Sequence, residues 1–266
     1  MTTLTKTNLL YTEKENASRN EITRFYNEAT SDYSFWSKDL NMHFGYFSFG
    51  KTNPFRRDSM LNEMNQQVYK RLQLPKKPNL MIDLGCGMGG TMQYVMQKNT
   101  KTNTIGVTLS PFQVQEGNKL LRNKKAVILE ENYCQTSLNS EIADGVIGIE
   151  SLCHSGHNKE VLREAYRLLK PGGTFVIGDA FLKKNPSKLC FGSRFSYKNL
   201  CKGWSLDGLG VISKVEKELL DIGFKKVTVE DVSFRVAPSV FHVPFAIVGF
   251  IIQQLFQNKK NWWIQN

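Results

Sequence analysis

The sequence predicts an α/β domain whose mostly parallel sheet is covered by helices on both faces. Short β-branched or apolar runs alternate with helical windows through the middle of the chain, and the first such run breaks into four glycines within six residues, "GCGMGG", at the entrance to a helix. Alternation of this kind gives parallel strands joined by helical crossovers, and a glycine turn at the end of a strand marks where a ligand can approach backbone.

Taken in order, residues 1 to about 40 read as polar and helical, with aromatic contacts at Phe25, Tyr26, Tyr33, Phe35 and Trp36. The next ten, "NMHFGYFSFG", are too aromatic and too interrupted by glycine for a regular helix. "RRDSMLNEMNQQVYKRLQL" is a second helical stretch, closed by the breaker "PKKP". Strands are expected at "LMIDLG", "TIGVTL", "AVILEEN", "DGVIGIE", "GGTFVIGDA" and "KKVTVEDVSF", each bounded by turn residues. Helices are expected at "GTMQYVMQKN", "PFQVQEGNKLLRNK", "NKEVLREAYRLLK" and "VISKVEKELLDIG". Between the fifth strand and the last of these helices lies "LKKNPSKLCFGSRFSYKNLCKGWSLDGLG", an irregular stretch long enough to be a lid or substrate loop. The organisation expected is an amino-terminal helical lid over 1–75, a ligand-binding core over 76–182, a lid insertion over 183–212, and the rest of the core with an apolar tail over 213–266.

At 266 residues the chain can bury one large core, and 41% hydrophobic with 22% charged residues is ordinary for a globular protein. Lys and Arg outnumber Asp and Glu 35 to 24, a formal net charge of +11. Because the longest basic runs are pairs and no basic helix face accompanies them, they read as solvated residues, and a nucleic-acid partner is not expected. Five dispersed cysteines without a CxxC pair suggest neither a disulfide framework nor a zinc site, and a reducing cytoplasm is the expected compartment. The segment "SVFHVPFAIVGFIIQQLF", followed by "QNKKNWWIQN", falls short of a membrane span and has two roles open to it, a buried element or a peripheral contact with a bilayer interface.

The glycine turn admits two cofactors. Gly85, Gly87 and Gly90 satisfy GxGxxG, but a dinucleotide site also needs an acid near the end of the second strand, where this chain has Thr108. The alternative is S-adenosylmethionine, for which Asp83 before Gly85 and Gly87 suits the ammonium of the methionine end.

The motif "DLGCGMGG" resembles the first motif of the class I S-adenosylmethionine-dependent methyltransferases, and "LREAYRLLKPGGTFVIGD" resembles their late helix, Pro-Gly-Gly turn and fifth strand. More narrowly, "GVTLSPFQVQ", "IESLCHS" and "HFGYF" are similar to the branch that contains sterol, tocopherol, geranyl diphosphate and cyclopropane fatty acid methyltransferases. The resemblance covers residues 40 to 235 and implies a Rossmann-like, seven-stranded, mostly parallel sheet. It implies that Asp83, Gly85, Cys86 and Gly87 line the methionine and ribose end of the cofactor, and that Thr108, Leu109 and Gln113 hold the ribose in place of an acid. Asn132 stands where the adenine contact is made, or Tyr133 or Glu131 if the alignment shifts by a residue. Glu150, by the same resemblance, faces the reacting centre and the cofactor.

Methyl transfer to an alkene carbon leaves a cation, which aromatic faces stabilise and from which a carboxylate or imidazole can take a proton. The residues available are His43, Phe44 and Tyr46 of "HFGYF", Glu150 and His154 of "ESLCH", and Trp204 in the later loop. Bland roles stand beside these: a hydrogen-bond partner for Glu150, a structural imidazole for His154, core aromatics for Phe44 and Tyr46. His154 would instead be a base if the acceptor were an amine or hydroxyl, and His157 and His242 read as packing residues. Lys183, Lys184, Lys188 and Arg194 would face a diphosphate acceptor, with magnesium. The expected activity is methylation of a small apolar or amphiphilic molecule, with carbon methylation of an isoprenoid or sterol-like acceptor ahead of nitrogen or oxygen methylation, and a nicotinamide-dependent oxidoreductase behind both.

Overall fold

The computed structural model describes residues 37–122, 125–204, 206 and 208–249. The expectations for the amino-terminal helical lid and for the apolar tail beyond residue 249 lie outside them.

After an irregular strap over residues 37–56 comes helix α1 (Arg57–Leu72), then β1 (Asn79–Leu84), α2 (Gly90–Lys98), β2 (Thr102–Thr108), α3 (Pro111–Leu120), β3 (Ala126–Glu130) and β4 (Ala143–Ile149). A short 3-10 turn (Leu152–Ser155), α4 (Lys159–Leu168) and β5 (Leu169–Gly178) follow, and then α5 (Phe191–Gly203), α6 (Ile212–Ile222) and α7 (Ser233–Val240). The described sheet has five strands in the order β3-β2-β1-β4-β5, all parallel. The chain therefore builds outward from β1 in one direction and returns to place β4 on its other side. That reversal opens a crevice above the carboxyl ends of β1 and β4, where open sheets of this type take their ligands.

Both faces of the sheet are covered, and the period of two in each strand distributes the side chains between them. Met81, Ile147 and Val176 pack with Val68 and Leu72 of α1 and Met92 and Val95 of α2. Their neighbours Ile82, Leu84 and Val146 face the other way, onto Val161, Leu162, Ala165 and Leu168 of α4 and Val215 and Leu219 of α6. Local signals start the helices as the sequence indicates. Ser110 accepts from the Gln113 N–H with Pro111 in the first turn of α3, and Asn158 accepts from Val161 N–H at the start of α4.

Two features differ from expectation. "KKVTVEDVSF" is not a strand, so the described sheet is five-stranded where seven strands were expected. Asp231 Oδ1 accepts from the Ser233 N–H at 3.0 Å in a local turn, while Glu230 and Asp231 pair with Arg71 and Lys183. Local side-chain bonds of this kind compete with a ladder. The stretch expected to be irregular carries α5, a 13-residue helix without one buried residue. With Gly, Ser and Asn scattered through it and no face turned to a core, the periodic signal of a helix is missing. The Pro-Gly-Gly turn is absorbed into β5: Ala143 pairs with Leu169 and Gly145 with Thr174, so two steps along β4 match five along β5 as a bulge.

Leu162 is fully buried between the sheet and α6. Leu162→Ala is expected to lower the unfolding free energy by about 2–5 kcal/mol, read as a fall in the urea midpoint at unchanged slope.

Candidate active site

The crevice above β1 and β4 is a cleft lined by the strap, the glycine turn and the ends of the strands. Its floor comes from strand ends: Asp83 near the end of β1, Thr108 at the end of β2, and Ile149 and Glu150 at the end of β4. Its wall is the strap, residues 40–43, laid across the glycine turn.

The glycines have an explanation the sequence did not supply. Gly85 has φ +88°, and a Cβ there would overlap the Ser151 side chain, whose hydroxyl donates to the Leu84 carbonyl at 2.6 Å. A Cβ on Gly90 would lie 2.8 Å from both the Asn41 Oδ1 and the Asp39 carbonyl oxygen. The turn is stripped of side chains as much to admit the strap and the β4 turn as to admit a ligand. The strap is then fastened through Asn65 of α1. Asn65 Oδ1 accepts from Thr91 at 2.9 Å and lies 3.0 Å from the His43 Nε2, and its amide donates to Asn41 at 2.9 Å.

Asp83 is a buried carboxylate, 3% exposed, that reaches the cleft and has no hydrogen-bond partner among the described residues. Burial alone raises its pKa to about 7. Glu150 also lines the cleft, in a left-handed backbone conformation at φ +49°. Its Oε1 accepts the Phe44 N–H at 2.8 Å. Desolvation raises its pKa to about 8, with the Phe44 bond opposing and Asp179 adding to the rise. A left-handed conformation costs a non-glycine residue about 1–3 kcal/mol and accumulates at functional sites.

The remaining candidates divide by position. Thr108 and Gln113 stand together in the cleft, the threonine hydroxyl donating to Gln113 Oε1 at 2.6 Å. Gly85, Cys86, Gly87, Leu109, Tyr133 and His154 line it with them. Tyr133 donates to the Ser151 carbonyl at 3.0 Å, and burial pushes its pKa up. Asn132 does not line the cleft; its Oδ1 accepts the Cys134 N–H at 3.1 Å in a local turn. His43 lines the cleft, but both ring nitrogens are engaged, at 2.8 Å from the Phe44 carbonyl and 3.0 Å from Asn65, and burial lowers its pKa. Phe44, Tyr46 and Trp204 do not line the cleft: Phe44 and Trp204 meet edge to face beside it with centroids 6.2 Å apart, and Tyr46 donates its backbone N–H to the Met60 carbonyl.

One pair was missed. His157, read as a packing residue, is buried with its Nε2 3.4 Å from Asp179 and its Nδ1 accepting from the Gly210 N–H at 3.2 Å. Asp179 also accepts the Cys153 N–H at 3.0 Å. The pair ties the turn that carries His154 to the end of β5 and to the far end of the lid insertion. No group of three or more metal-ligating side chains occurs among the described residues.

Fold and cleft together define a Rossmann-like α/β domain with an acidic, glycine-floored ligand site at its switch point. Residues 82–177 match the family model described as a methyltransferase domain. Among curated relatives, the chain is 30% identical over 161 residues to 24-methylenesterol C-methyltransferase 2 of Arabidopsis thaliana, covering 58% of this chain and 42% of that one. The chain thus spans about two fifths of the length of that relative. Among solved structures it is similar to a mycolic acid cyclopropane synthase complexed with SAH and CTAB, with a TM-score of 0.75, 19% identity and coverage of 88% and 85%. A geranyl diphosphate C-methyltransferase from Streptomyces coelicolor in complex with Mg2+, geranyl diphosphate and S-adenosyl-L-homocysteine gives a TM-score of 0.71, 16% identity and coverage of 84% and 85%. The resemblance to class I S-adenosylmethionine-dependent methyltransferases of the sterol, geranyl diphosphate and cyclopropane branch is borne out.

The site fits that cofactor. A buried carboxylate lacking a protein partner suits an ammonium group, Thr108 and Gln113 offer hydroxyl and amide groups to a ribose, and the turn carries no pyrophosphate-dependent acid pattern. Because Asp83 ionises in the folded chain only near pH 7, against an ordinary 3.8, the folded chain holds an extra proton between those values. Stability without ligand therefore falls as pH rises through that window. Binding of an ammonium runs the other way. Affinity for S-adenosylmethionine is expected to rise from pH 5 towards 7, about tenfold per unit well below the Asp83 value, and Asp83→Asn is expected to flatten the profile in calorimetry.

Proposed function

We propose that the chain is an S-adenosylmethionine-dependent methyltransferase acting on carbon of a sterol-like or isoprenoid acceptor. The observation that carries the reading is the desolvated Glu150 carboxylate lining the same cleft as Asp83, with the Phe44 N–H held on one oxygen. The likeness to sterol and geranyl diphosphate C-methyltransferases supports the acceptor class.

When bound, S-adenosylmethionine supplies an electrophilic methyl group on a sulfonium. Asp83 would hold its ammonium, Thr108 and Gln113 its ribose, and Tyr133 would be available to the adenine. The strap excludes water from the transfer. Transfer of that methyl to an acceptor alkene would form a carbon–carbon bond from the π electrons as the carbon–sulfur bond breaks and the neutral thioether S-adenosylhomocysteine leaves, so the positive charge would pass to the acceptor, with no lone pair to quench it. The Phe44–Trp204 ring pair, tied to Glu150 through the Phe44 N–H, would place aromatic groups beside the cleft, and the ionised Glu150 would stabilise the charge before its second oxygen takes the proton whose loss restores a double bond. The Phe44 N–H fixes the carboxylate so that this oxygen, and not the other, would be presented. His154, buried in the same wall, is the alternative base for an amine or hydroxyl acceptor.

Glu150→Gln keeps an oxygen for the Phe44 N–H and removes the base. It is expected to cut turnover on a sterol or isoprenoid acceptor by about 10²-fold or more while S-adenosylmethionine affinity stays within a few-fold. Turnover of the unsubstituted chain is expected to climb with pH towards the Glu150 value of about 8. Radiolabelled methyl incorporation across a panel of sterol, isoprenoid, fatty acyl and amine acceptors measures both. Full activity of the glutamine variant on an alkene acceptor would remove Glu150 from the chemistry, and incorporation confined to amines would replace the carbon acceptor by His154-assisted chemistry.

A further inference from the structure

Helix α5 is an anomaly for a globular fold. It is 13 residues long, buries nothing, and exposes Phe191 by 87% and Phe195 by 62%. Phe191, Phe195, Lys198 and Lys202 follow the spacing i, i+4, i+7, i+11 and so share one face, outward over three turns. The opposite side is the one held to the protein: the Tyr197 hydroxyl accepts the Leu209 N–H at 3.0 Å. From residue 180 to residue 204 the chain contains six basic residues and no acidic one. Two of the six are engaged, Lys183 with Asp231 and Arg194 with the Ser187 and Leu189 carbonyls. Lys184, Lys188, Lys198 and Lys202 make no ion pair among the described residues.

We propose that the outward face of α5 docks on an anionic lipid bilayer, with Phe191 and Phe195 entering the headgroup boundary and the unpaired lysines on lipid phosphates and carboxylates. Two protruding aromatic rings in a field of uncompensated positive charge are costly in water and match a surface that is apolar beneath and negative above. A protein partner would have to be both acidic and apolar at once. A free diphosphate would engage the lysines and leave the rings in water. No described helix is long and apolar enough to cross a membrane, so the contact is interfacial.

The location gives the docking a use that rests on the proposed methyl transfer. Trp204 closes α5 at its carboxyl end and packs edge to face on Phe44, whose N–H holds Glu150. A docked α5 therefore sets the mouth of the cleft against the membrane, and an acceptor dissolved in the bilayer reaches the site without crossing water.

Flotation of the full chain with phosphatidylcholine vesicles, with and without about one third phosphatidylserine, tests the docking without reference to turnover. Binding to the anionic vesicles is expected, weakened at high salt and on neutral vesicles. Phe191→Ser with Phe195→Ser is expected to weaken it at least tenfold, and Lys198→Glu with Lys202→Glu as much or more, while Phe191→Trp retains it. S-adenosylmethionine affinity and circular dichroism are expected to stay unchanged in all of them, since these residues touch neither core nor cleft. Failure of the full chain to float with anionic vesicles would overturn the proposal. So would unchanged flotation of both double variants, or displacement from vesicles by inorganic diphosphate at matched ionic strength. None of these results bears on methyl incorporation in detergent, which tests the proposed function separately.

Discussion

One hydrogen bond organises the cleft: the Phe44 N–H donated to Glu150 Oε1 at 2.8 Å, across a sequence separation of 106 residues. It joins the strap to the end of β4, and it can form only because the strap lies flat on the glycine turn. That contact requires Gly90 to have no side chain, and the adjoining turn requires Gly85 to have none against Ser151. The polar network through Asn65 then fixes the strap from the other side, linking His43, Asn41 and Thr91 in a region where a polar group left over would carry a penalty of about 1–3 kcal/mol. Remove either the glycines or the asparagine, and the carboxylate loses the donor that orients it.

Electrostatically the cleft is built around two acids in one desolvated space. Asp83 and Glu150 are both pushed upward, to about 7 and about 8, by burial before any other cause. Neither is neutralised by a Lys or Arg. Among the described residues no Lys or Arg lines the cleft of this protein of net charge +11, which leaves the two acids open to compensation by a ligand. Under the proposed function, a cationic occupant near Asp83 and a developing cation near Glu150 would meet that requirement separately, one in binding and one in reaction. Differential stabilisation of this kind raises a rate, because the charge at the second acid would exist only during the reaction.

The sequence was informative where function follows the strand ends. Asp83, Gly85, Gly87, Thr108, Gln113 and Glu150 are legible because each stands at a fixed offset from a short apolar strand, and a parallel sheet brings carboxyl ends together by topology alone. Asn132, expected at the adenine contact, stands outside the cleft lining and accepts the Cys134 N–H in an Asx turn, a local bond that its position in the sequence did not reveal. The "KKVTVEDVSF" run alternates as a strand should, yet the local turn in which Asp231 accepts the Ser233 N–H and the ion pairs to Arg71 and Lys183 take the segment elsewhere. His157 and Asp179 were invisible because nothing in a linear spacing of 22 residues reveals that both lie at the end of β5 and under the lid. Their meeting is a product of packing.

The two sides of the cleft are held by different kinds of interaction, and that difference bears on what each can recognise. The donor side is fixed by strand ends, tight glycine approaches and a buried amide network. The acceptor side hangs on a few anchors, the Phe44–Trp204 ring contact, the Tyr197 hydroxyl on Leu209 and the Gly210 N–H on His157. A small polar cofactor with defined hydrogen-bonding groups needs the first kind of wall, because misplacement by an ångström loses its bonds. A bulky apolar acceptor needs only shape and exclusion of water, which a lightly anchored helix with an amphipathic outer face supplies. The donor-side residues stand in short motifs at strand ends, whereas α5 buries no residue and follows no pattern set by a core, so the sequence of the lid insertion carries no comparable signal. The Asp179–His157 pair joins the two sides as well, since Asp179 accepts the Cys153 N–H in the turn that bears His154 and His157 accepts the Gly210 N–H at the far end of the lid insertion.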